Sequence, residues 1–123
     1  MNWSDYPNFN KSEFTCKHTG KCNMHPDFME RLQKLRTLYG KPMKVSSGYR
    51  DPSHPIEAKK ASPGFHTTGR AVDIAVSGAD AVKLLTLALQ VGFTGIGVQQ
   101  KGGGRFIHLD DVVSLTRPNI WSY

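Results

Sequence analysis

The sequence predicts one α+β domain that covers residues 1–123. Two segments carry apolar residues at helical spacing, and four short segments have the alternating or continuously apolar pattern of strands. The chain has 123 residues, a length that suits a single domain and allows a core without disulfides or metals. No apolar run approaches the roughly 20 residues that a membrane span needs, so we expect no membrane insertion.

The N-terminal residues are predicted to form an irregular arm that packs on the domain. Trp3, Tyr6 and Phe9 recur every three residues, but Pro7 interrupts any helix there. Residues 12–16 are predicted as a short strand or turn.

A loop with two cysteines and two histidines follows this arm. Cys16, His18, Cys22 and His25 lack the paired C-x2-C or H-x3-H spacing of common zinc sites. A disulfide is sterically possible, but disulfides rarely persist in the cytosol. We therefore favour two buried free thiols over a disulfide or a structural metal.

Two helices are predicted from apolar residues at helical spacing. The first spans residues 26–39, with proline in its first turn and Gly40 at its end. The second spans residues 81–91, and Ser77 is its predicted cap. Its buried side is expected to carry Val82, Leu85 and Leu89, with Leu84, Ala88 and Val91 beside them.

The predicted strands occupy residues 42–47, 71–76, 94–99 and 105–110. The glycine-rich residues 101–104 form a turn between the last two strands. Residues 51–64 form a long loop that is expected to make one wall of a cleft. The tail, residues 112–123, is expected to pack back on the domain.

Two imidazoles and a carboxylate are the candidate metal ligands. His66 and Asp73 are seven residues apart, a spacing that suits a loop leading into a strand. Phe106, His108 and Asp110 share one face of a later strand. Zinc enzymes commonly use three nitrogen or oxygen ligands and leave a fourth position for water. We therefore predict a Zn²⁺ site formed by His66, Asp73 and His108, although each residue alone would usually be an ordinary core or surface residue.

The motifs around these residues resemble those of the M15 family of zinc peptidases. S-G-Y-R ends at Arg50, H-x-x-G-R-A-x-D-I begins at His66, and F-I-H-L-D ends at Asp110. They occur in the family's order, and the similarity covers roughly residues 14–110. The family includes D-Ala-D-Ala carboxypeptidases, dipeptidases of vancomycin resistance and phage endolysins. The resemblance implies the fold shared with hedgehog signalling domains, a mostly antiparallel sheet with zinc on one face and helices on the other.

The resemblance also places Arg50 at the substrate. A planar guanidinium there would stabilise an oxyanion or hold a substrate carboxylate. The alternative is a structural ion pair, for example with Asp51. His54 and Glu57 are candidate substrate contacts from the long loop, although a solvent-facing position is the simpler expectation for both.

The general base is less well defined. Many M15 enzymes carry an acid three residues before the last ligand, but Arg105 occupies that position here. Asp110 shares the strand face of His108, and two roles are equally open for it: general base, or a partner that orients His108. Two residues before His66, where relatives often have serine, this chain has Gly64. This departure puts a supporting hydrogen bond in doubt.

The predicted function is a zinc peptidase that acts on peptidoglycan stem peptides or cross-links, most simply a phage endolysin. A D-Ala-D-Ala carboxypeptidase of wall maintenance and an inactive, zinc-containing wall-binding module are the alternatives. The first residues show neither the basic nor the apolar segment of a secretory signal. We therefore expect the protein in the host cytoplasm until lysis, and then at the wall in the periplasm.

Charge alone suggests a third class, a nucleic-acid-binding protein. The formal net charge is +6, which favours anionic partners in general. The basic residues are scattered, and no basic stripe with interleaved aromatic residues indicates nucleic-acid binding. The expected partner is therefore a peptidoglycan peptide and not nucleic acid, and the protein is expected to be a monomer.

Overall fold

The computed structural model describes residues 1–60 and 64–123. Four α-helices lie in these ranges: α1 (Lys11–Phe14), α2 (Pro26–Tyr39), α3 (Pro55–Ala58) and α4 (Gly78–Gln90). Five strands form one sheet: β1 (Lys44–Ser47), β2 (Ala71–Ala75), β3 (Gly95–Gln99), β4 (Phe106–Asp110) and β5 (Asn119–Ser122). Short 3-10 helices occupy Trp3–Asp5 and Phe65–Thr68.

The sheet has the strand order β1-β2-β4-β3-β5. Its neighbouring strands are antiparallel except β3 and β5, which run parallel. The predicted α+β class with a mostly antiparallel sheet is confirmed, and the four predicted strands are present to within two residues at each end. The tail also packs back on the domain as predicted, and it does so by adding β5 to the edge of the sheet.

Side chains alternate along β2 and β4, which separates the two faces of the sheet. Ile74 pairs with Ile107 across the two strands, and both belong to the core that contains the apolar faces of α2 and α4. The neighbouring pair on the same two strands is Asp73 and His108. These two polar side chains therefore point to the face opposite the helices.

Helix α2 has the bounds that the sequence predicts. The Asp27 N–H donates to His25 Nδ1 at 3.2 Å at the start of the helix. Gly40 ends it in the left-handed region at φ 73° and donates its N–H to the Arg36 carbonyl. Its buried side chains are Phe28, Met29, Leu32, Leu35 and Tyr39.

The buried face of α4 differs from the prediction. Val82 and Leu89 are 68% and 54% exposed, and the buried residues are Ala81, Leu84 and Ala88. Both stripes are apolar at helical spacing, so the sequence pattern does not separate them. The buried stripe carries two alanines, whose small side chains allow the helix to approach the rest of the core closely. Among the described residues, no helix has both the length and the apolar character needed to cross a membrane.

The N-terminal arm packs on the core as expected, but the strand or turn predicted at residues 12–16 is wrong. The chain instead forms α1, where the Glu13 carboxylate accepts the Asn10 N–H at 3.5 Å. This reach-back contact stabilises a helix start and has no equivalent in a strand. Phe14, at the end of α1, is fully buried against Trp3 and Phe9.

Both cysteines are free thiols, as predicted. Cys16 is buried, whereas Cys22 is only partly buried. The Cys16 sulfur accepts the Asp51 N–H at 3.4 Å. Burial would raise the pKa of the Cys16 thiol, but this hydrogen bond and others from Thr19 and His18 lower it. Cys16 therefore supports the backbone directly after the S-G-Y-R motif.

Candidate metal centre

The three predicted ligands converge on one point of the sheet. Asp73 on β2 lies opposite His108 on β4, and His66 lies in the 3-10 helix Phe65–Thr68 that leads into β2. The Asp73 Oδ1 atom is 3.3 Å from His66 Nε2 and 3.0 Å from His108 Nδ1. The candidate ligand atoms all lie within 4.8 Å of one another, and all three residues are buried.

Gly69 connects the 3-10 helix to β2 and permits this geometry. Its φ of 73° is in the left-handed region that favours glycine. Its carbonyl accepts the His25 N–H at 2.9 Å, and a Cβ at this position would overlap the Asn23 carbonyl oxygen. The turn between His66 and Asp73 therefore packs closely against the loop before α2, and only glycine fits at this position.

The outer nitrogen of each imidazole is held by an acceptor. His66 Nδ1 donates to the Gly48 carbonyl at 2.8 Å, and His108 Nε2 donates to Asp110 Oδ2 at 2.8 Å. Since a carbonyl or carboxylate oxygen only accepts, both outer nitrogens carry hydrogen. The neutral form of each ring then offers a lone pair on the nitrogen that faces Asp73. Such outer contacts typically orient histidines that bind metals, so the donor set fits a metal ion.

The charges at the centre are strongly coupled. Burial would raise the pKa of Asp73, but His108 and His66 outweigh it and hold the pKa well below its usual range. Burial would lower the pKa of His108, but Asp110 and Asp73 outweigh it and raise the pKa. His108 therefore lies between two carboxylates that favour its protonated form, and a metal ion at Nδ1 would compete with a proton there.

Asp110 lies against the far side of the His108 ring. Its side chain is fully buried, and Arg117 donates from Nε to Oδ1 at 3.0 Å and from Nη2 to Oδ2 at 2.9 Å. The contact with His108 is to Nε2, whereas Nδ1 faces Asp73. Gly95 on β3 provides space for the carboxylate, because a Cβ there would overlap both oxygens.

Arg50 pairs with Glu57 and not with Asp51. Its Nη1 is 3.2 Å from Glu57 Oε2, and its backbone N–H donates to the His66 carbonyl at 3.1 Å. Asp51 instead accepts the N–H and hydroxyl of Ser53. Arg50 is thus tied both to the segment that carries His66 and, through Glu57, to α3.

The expectation that Glu57 faces solvent is wrong. The residue is 2% exposed, and its carboxylate accepts the Gly64 N–H at 2.7 Å and Lys60 Nζ at 3.0 Å. Burial would raise the pKa of Glu57, but the Gly64 N–H, Lys60 and Arg50 outweigh it and lower the pKa. The predicted loop forms α3 here, while its residues 61–63 lie outside the described part of the chain. A Pro after His54 favours this helix start, which the loop prediction overlooked.

His54 has a local structural contact. Its Nδ1 accepts the Ile56 N–H at 3.1 Å and so begins α3. The residue lines a groove beside Gly48 and Tyr49. It is not among the described residues that line the cleft over the metal ligands.

A cleft of about 500 Å³ opens over the three ligands. Its basic side chains are Arg50, Lys60 and Arg117, and its aromatic side chains are Phe65, Phe106, Trp121 and Tyr123. Sequence reasoning missed the contribution of the tail to this wall. The available signal was a basic residue followed by two aromatic residues in R-P-N-I-W-S-Y, but their placement depends on the pairing of β5 with β3.

Comparison with known proteins identifies the family. The Peptidase M15 model matches residues 7–110. Peptidoglycan L,D-endopeptidase MepK of Escherichia coli strain K12 is 28% identical over 95 residues, which cover 72% of this chain and 51% of the relative. The MepK of Shigella flexneri has the same identity and coverage. The chain thus spans about half the length of the curated relatives it matches, and it belongs to the peptidase M15 family.

Proposed function

We propose that this protein is a zinc peptidase that hydrolyses peptide bonds in peptidoglycan stem peptides or cross-links. The observation that carries the proposal is the convergence of His66 Nε2, Asp73 Oδ1 and His108 Nδ1, with both outer ring nitrogens held by acceptors. Two imidazoles and one carboxylate are a donor set that zinc enzymes use. The M15 family membership and the wall-cleaving activity named for the MepK relatives support the substrate class.

In this proposal, His66, Asp73 and His108 hold the zinc ion. When bound, zinc polarises a scissile carbonyl and lowers the pKa of a water molecule. Arg50 holds a substrate oxygen, because Glu57 fixes one side of its guanidinium and the residue lines the cleft. Its remaining N–H groups are available for an oxyanion or a carboxylate.

We assign Asp110 as the partner that orients His108 and not as the general base. Both of its oxygens already accept hydrogen bonds from His108 or Arg117. The carboxylate is also fully buried on the side of the ring away from Nδ1. A base must reach the proton that it removes, and this placement does not meet that requirement.

The lining of the cleft is consistent with a peptidoglycan peptide. Arg50, Lys60 and Arg117 contribute positive charge, while the aromatic side chains contribute apolar contact area. Peptidoglycan stem peptides carry free carboxylates next to short apolar side chains. Charge complementarity of this kind favours productive encounter and orientation.

One observation favours the inactive wall-binding module as a second candidate. Among the described residues that line the cleft, Asp73 is the only carboxylate, and it is a proposed ligand. A module of this kind would bind zinc and wall fragments without cutting them.

The experiment is digestion of purified Gram-negative peptidoglycan followed by mass spectrometry of the soluble products. The zinc-loaded protein should release peptides, and a chelator or His66→Ala should abolish the release. Loss of single D-Ala residues would identify a carboxypeptidase, and cleaved cross-links would identify an endopeptidase. Zinc and wall binding without any new product would refute the peptidase proposal in favour of the binding module.

The endolysin role stays a prediction. If it holds, the protein should clear suspensions of permeabilised Gram-negative cells in a zinc-dependent manner. An enzyme that trims D-Ala from isolated wall but leaves turbidity unchanged would instead fit wall maintenance.

A further inference from the structure

We propose that residues 117–123, the C-terminal segment, form a positioning element of the metal centre. In this inference, Arg117 holds Asp110 and through it His108, while Trp121 packs on the His108 ring. The segment lies outside residues 7–110, which match the family. The inference rests on the proposed function, because it assigns these residues to the same metal site.

The backbone pairing of β5 places the C-terminal segment beside the ligands. Asn119 pairs with Gly95 and Trp121 with Gly97, and the Asn119 N–H donates to the Thr94 carbonyl at 2.9 Å. A Cβ on Gly97 would lie 2.7 Å from Trp121 Nε1. Glycine at this position therefore allows the Trp121 ring to lie close over β3.

Trp121 contacts a proposed ligand directly. Its ring centroid is 5.2 Å from that of His108, at an interplanar angle of 51°. His108 is 4% exposed, and Trp121 also lines the cleft. Such a contact restricts rotation of the imidazole and excludes water from one of its faces.

Arg117 is held more firmly than a surface arginine. Its side chain is 5% exposed, and two of its nitrogens contact the two oxygens of Asp110. Its guanidinium carbon lies 4.5 Å from the Phe65 ring centroid and 5.0 Å from that of Trp121. This combination of a two-nitrogen contact and aromatic stacking is specific to arginine.

The contacts form a chain from the C-terminal segment to a ligand. Arg117 fixes both oxygens of Asp110, and Asp110 Oδ2 fixes His108 Nε2. The opposite nitrogen of the same ring, Nδ1, faces Asp73. Loss of Arg117 would leave the Asp110 carboxylate buried without its cation, and the orientation of His108 would be less defined.

The first test measures zinc affinity by competition with a chelator. Arg117→Gln should weaken zinc binding by about 10- to 100-fold, the effect typical of contacts that orient metal ligands. Arg117→Lys should not restore it, because a point charge does not reproduce the planar fork. Arg105→Gln is the matched control, since Arg105 is exposed and its Nε donates to the Gly102 carbonyl of its own turn.

The outcomes separate the inference from the proposed function. A wild-type protein without zinc affinity refutes both. Wild-type zinc binding together with unchanged affinity in Arg117→Gln refutes the inference alone. Circular dichroism of each variant checks that the fold is retained.

A second measurement keeps the inference testable if Arg117→Gln does not fold. The chain has two tryptophans, and Trp3 packs on Phe14 in the N-terminal arm. Trp3→Phe therefore leaves Trp121 as the only tryptophan reporter. Its emission should change on zinc titration and saturate at about one equivalent, whereas Trp121→Phe should show no change. Zinc binding to Trp3→Phe without any emission change would overturn the contact between Trp121 and the metal centre.

Discussion

Glu57→Gln tests the buried ion-pair cluster behind Arg50. The Glu57 carboxylate accepts from Arg50, Lys60 and the Gly64 N–H at 2.7–3.2 Å. Glutamine has nearly the same shape and keeps one acceptor oxygen, so the Gly64 contact can persist. The substitution removes the negative charge that faces the Arg50 and Lys60 cations, and it leaves no cavity.

The expected loss of stability is about 2 kcal/mol. A hydrogen bond to a charged group contributes about 1.5–3 kcal/mol. The Lys60 contact counts for little of this, because its side chain is 42% exposed and water can replace the carboxylate. The Arg50 side chain is 20% exposed, so its contact carries most of the effect. For a chain of this size, 2 kcal/mol lowers Tm by about 6–12 °C.

The assay is thermal unfolding followed by circular dichroism at pH 7 and at acidic pH. Because folding lowers the pKa of Glu57, its contribution is complete above the unfolded-state pKa of about 4.3. The contribution is lost as the pH falls through the folded-state pKa. The difference between wild type and Glu57→Gln should therefore shrink in acid.

Glu30→Gln is the control, since Glu30 is exposed on α2 and its substitution should change Tm little at either pH. Equal Tm values for wild type and Glu57→Gln at pH 7 would refute the role of the cluster. A Tm difference between wild type and Glu57→Gln that stays constant from pH 7 into acid would show that the charge of Glu57 is not its cause.

Substitutions at three further residues test the proposed site. His66→Ala should sharply lower the zinc content of the purified protein by metal analysis, and unchanged content would remove His66 from the ligands. Arg50→Ala should keep zinc but lose on the order of 100-fold or more in hydrolysis rate, and Arg50→Lys should be similarly poor; full activity in either would contradict its substrate role. Asp110→Asn should weaken zinc affinity by about 10- to 100-fold, with added zinc restoring much of the rate. A large loss of rate that excess zinc does not restore would instead favour the general-base role.

The sequence predicted an element correctly where the residues that define its start and end lie within one segment. Helix α2 has the predicted bounds because a proline begins it and Gly40 ends it. The sequence pattern could not identify the buried stripe of α4, because two adjacent stripes are apolar. Ala81 and Ala88 lie in the buried stripe, and only the packing of the helix against its neighbours selects it.

The wrong expectation for Glu57 has a related cause. A glutamate in a polar loop usually faces water, and the residues around Glu57 in the sequence give no sign that it is buried. Its burial depends on contacts with Arg50 and Gly64, which lie seven residues before and seven residues after it in the chain. Such a cluster forms only when the chain folds back on itself.

By itself, the sequence determined the types and relative placement of the candidate ligands. The alternation of side chains along a strand puts His108 and Asp110 on one face, and the motif spacing links His66 to the strand of Asp73. The tertiary structure decided which nitrogen of each ring faces Asp73, where the Asp110 carboxylate points, and that Arg117 and Trp121 reach the same centre. These features depend on the register of β4 and β5 against β3 and on the absence of Cβ atoms at Gly95 and Gly97. Strand pairing between distant segments leaves no periodic signal in the local sequence, because its energy comes from contacts that exist only after the sheet has formed.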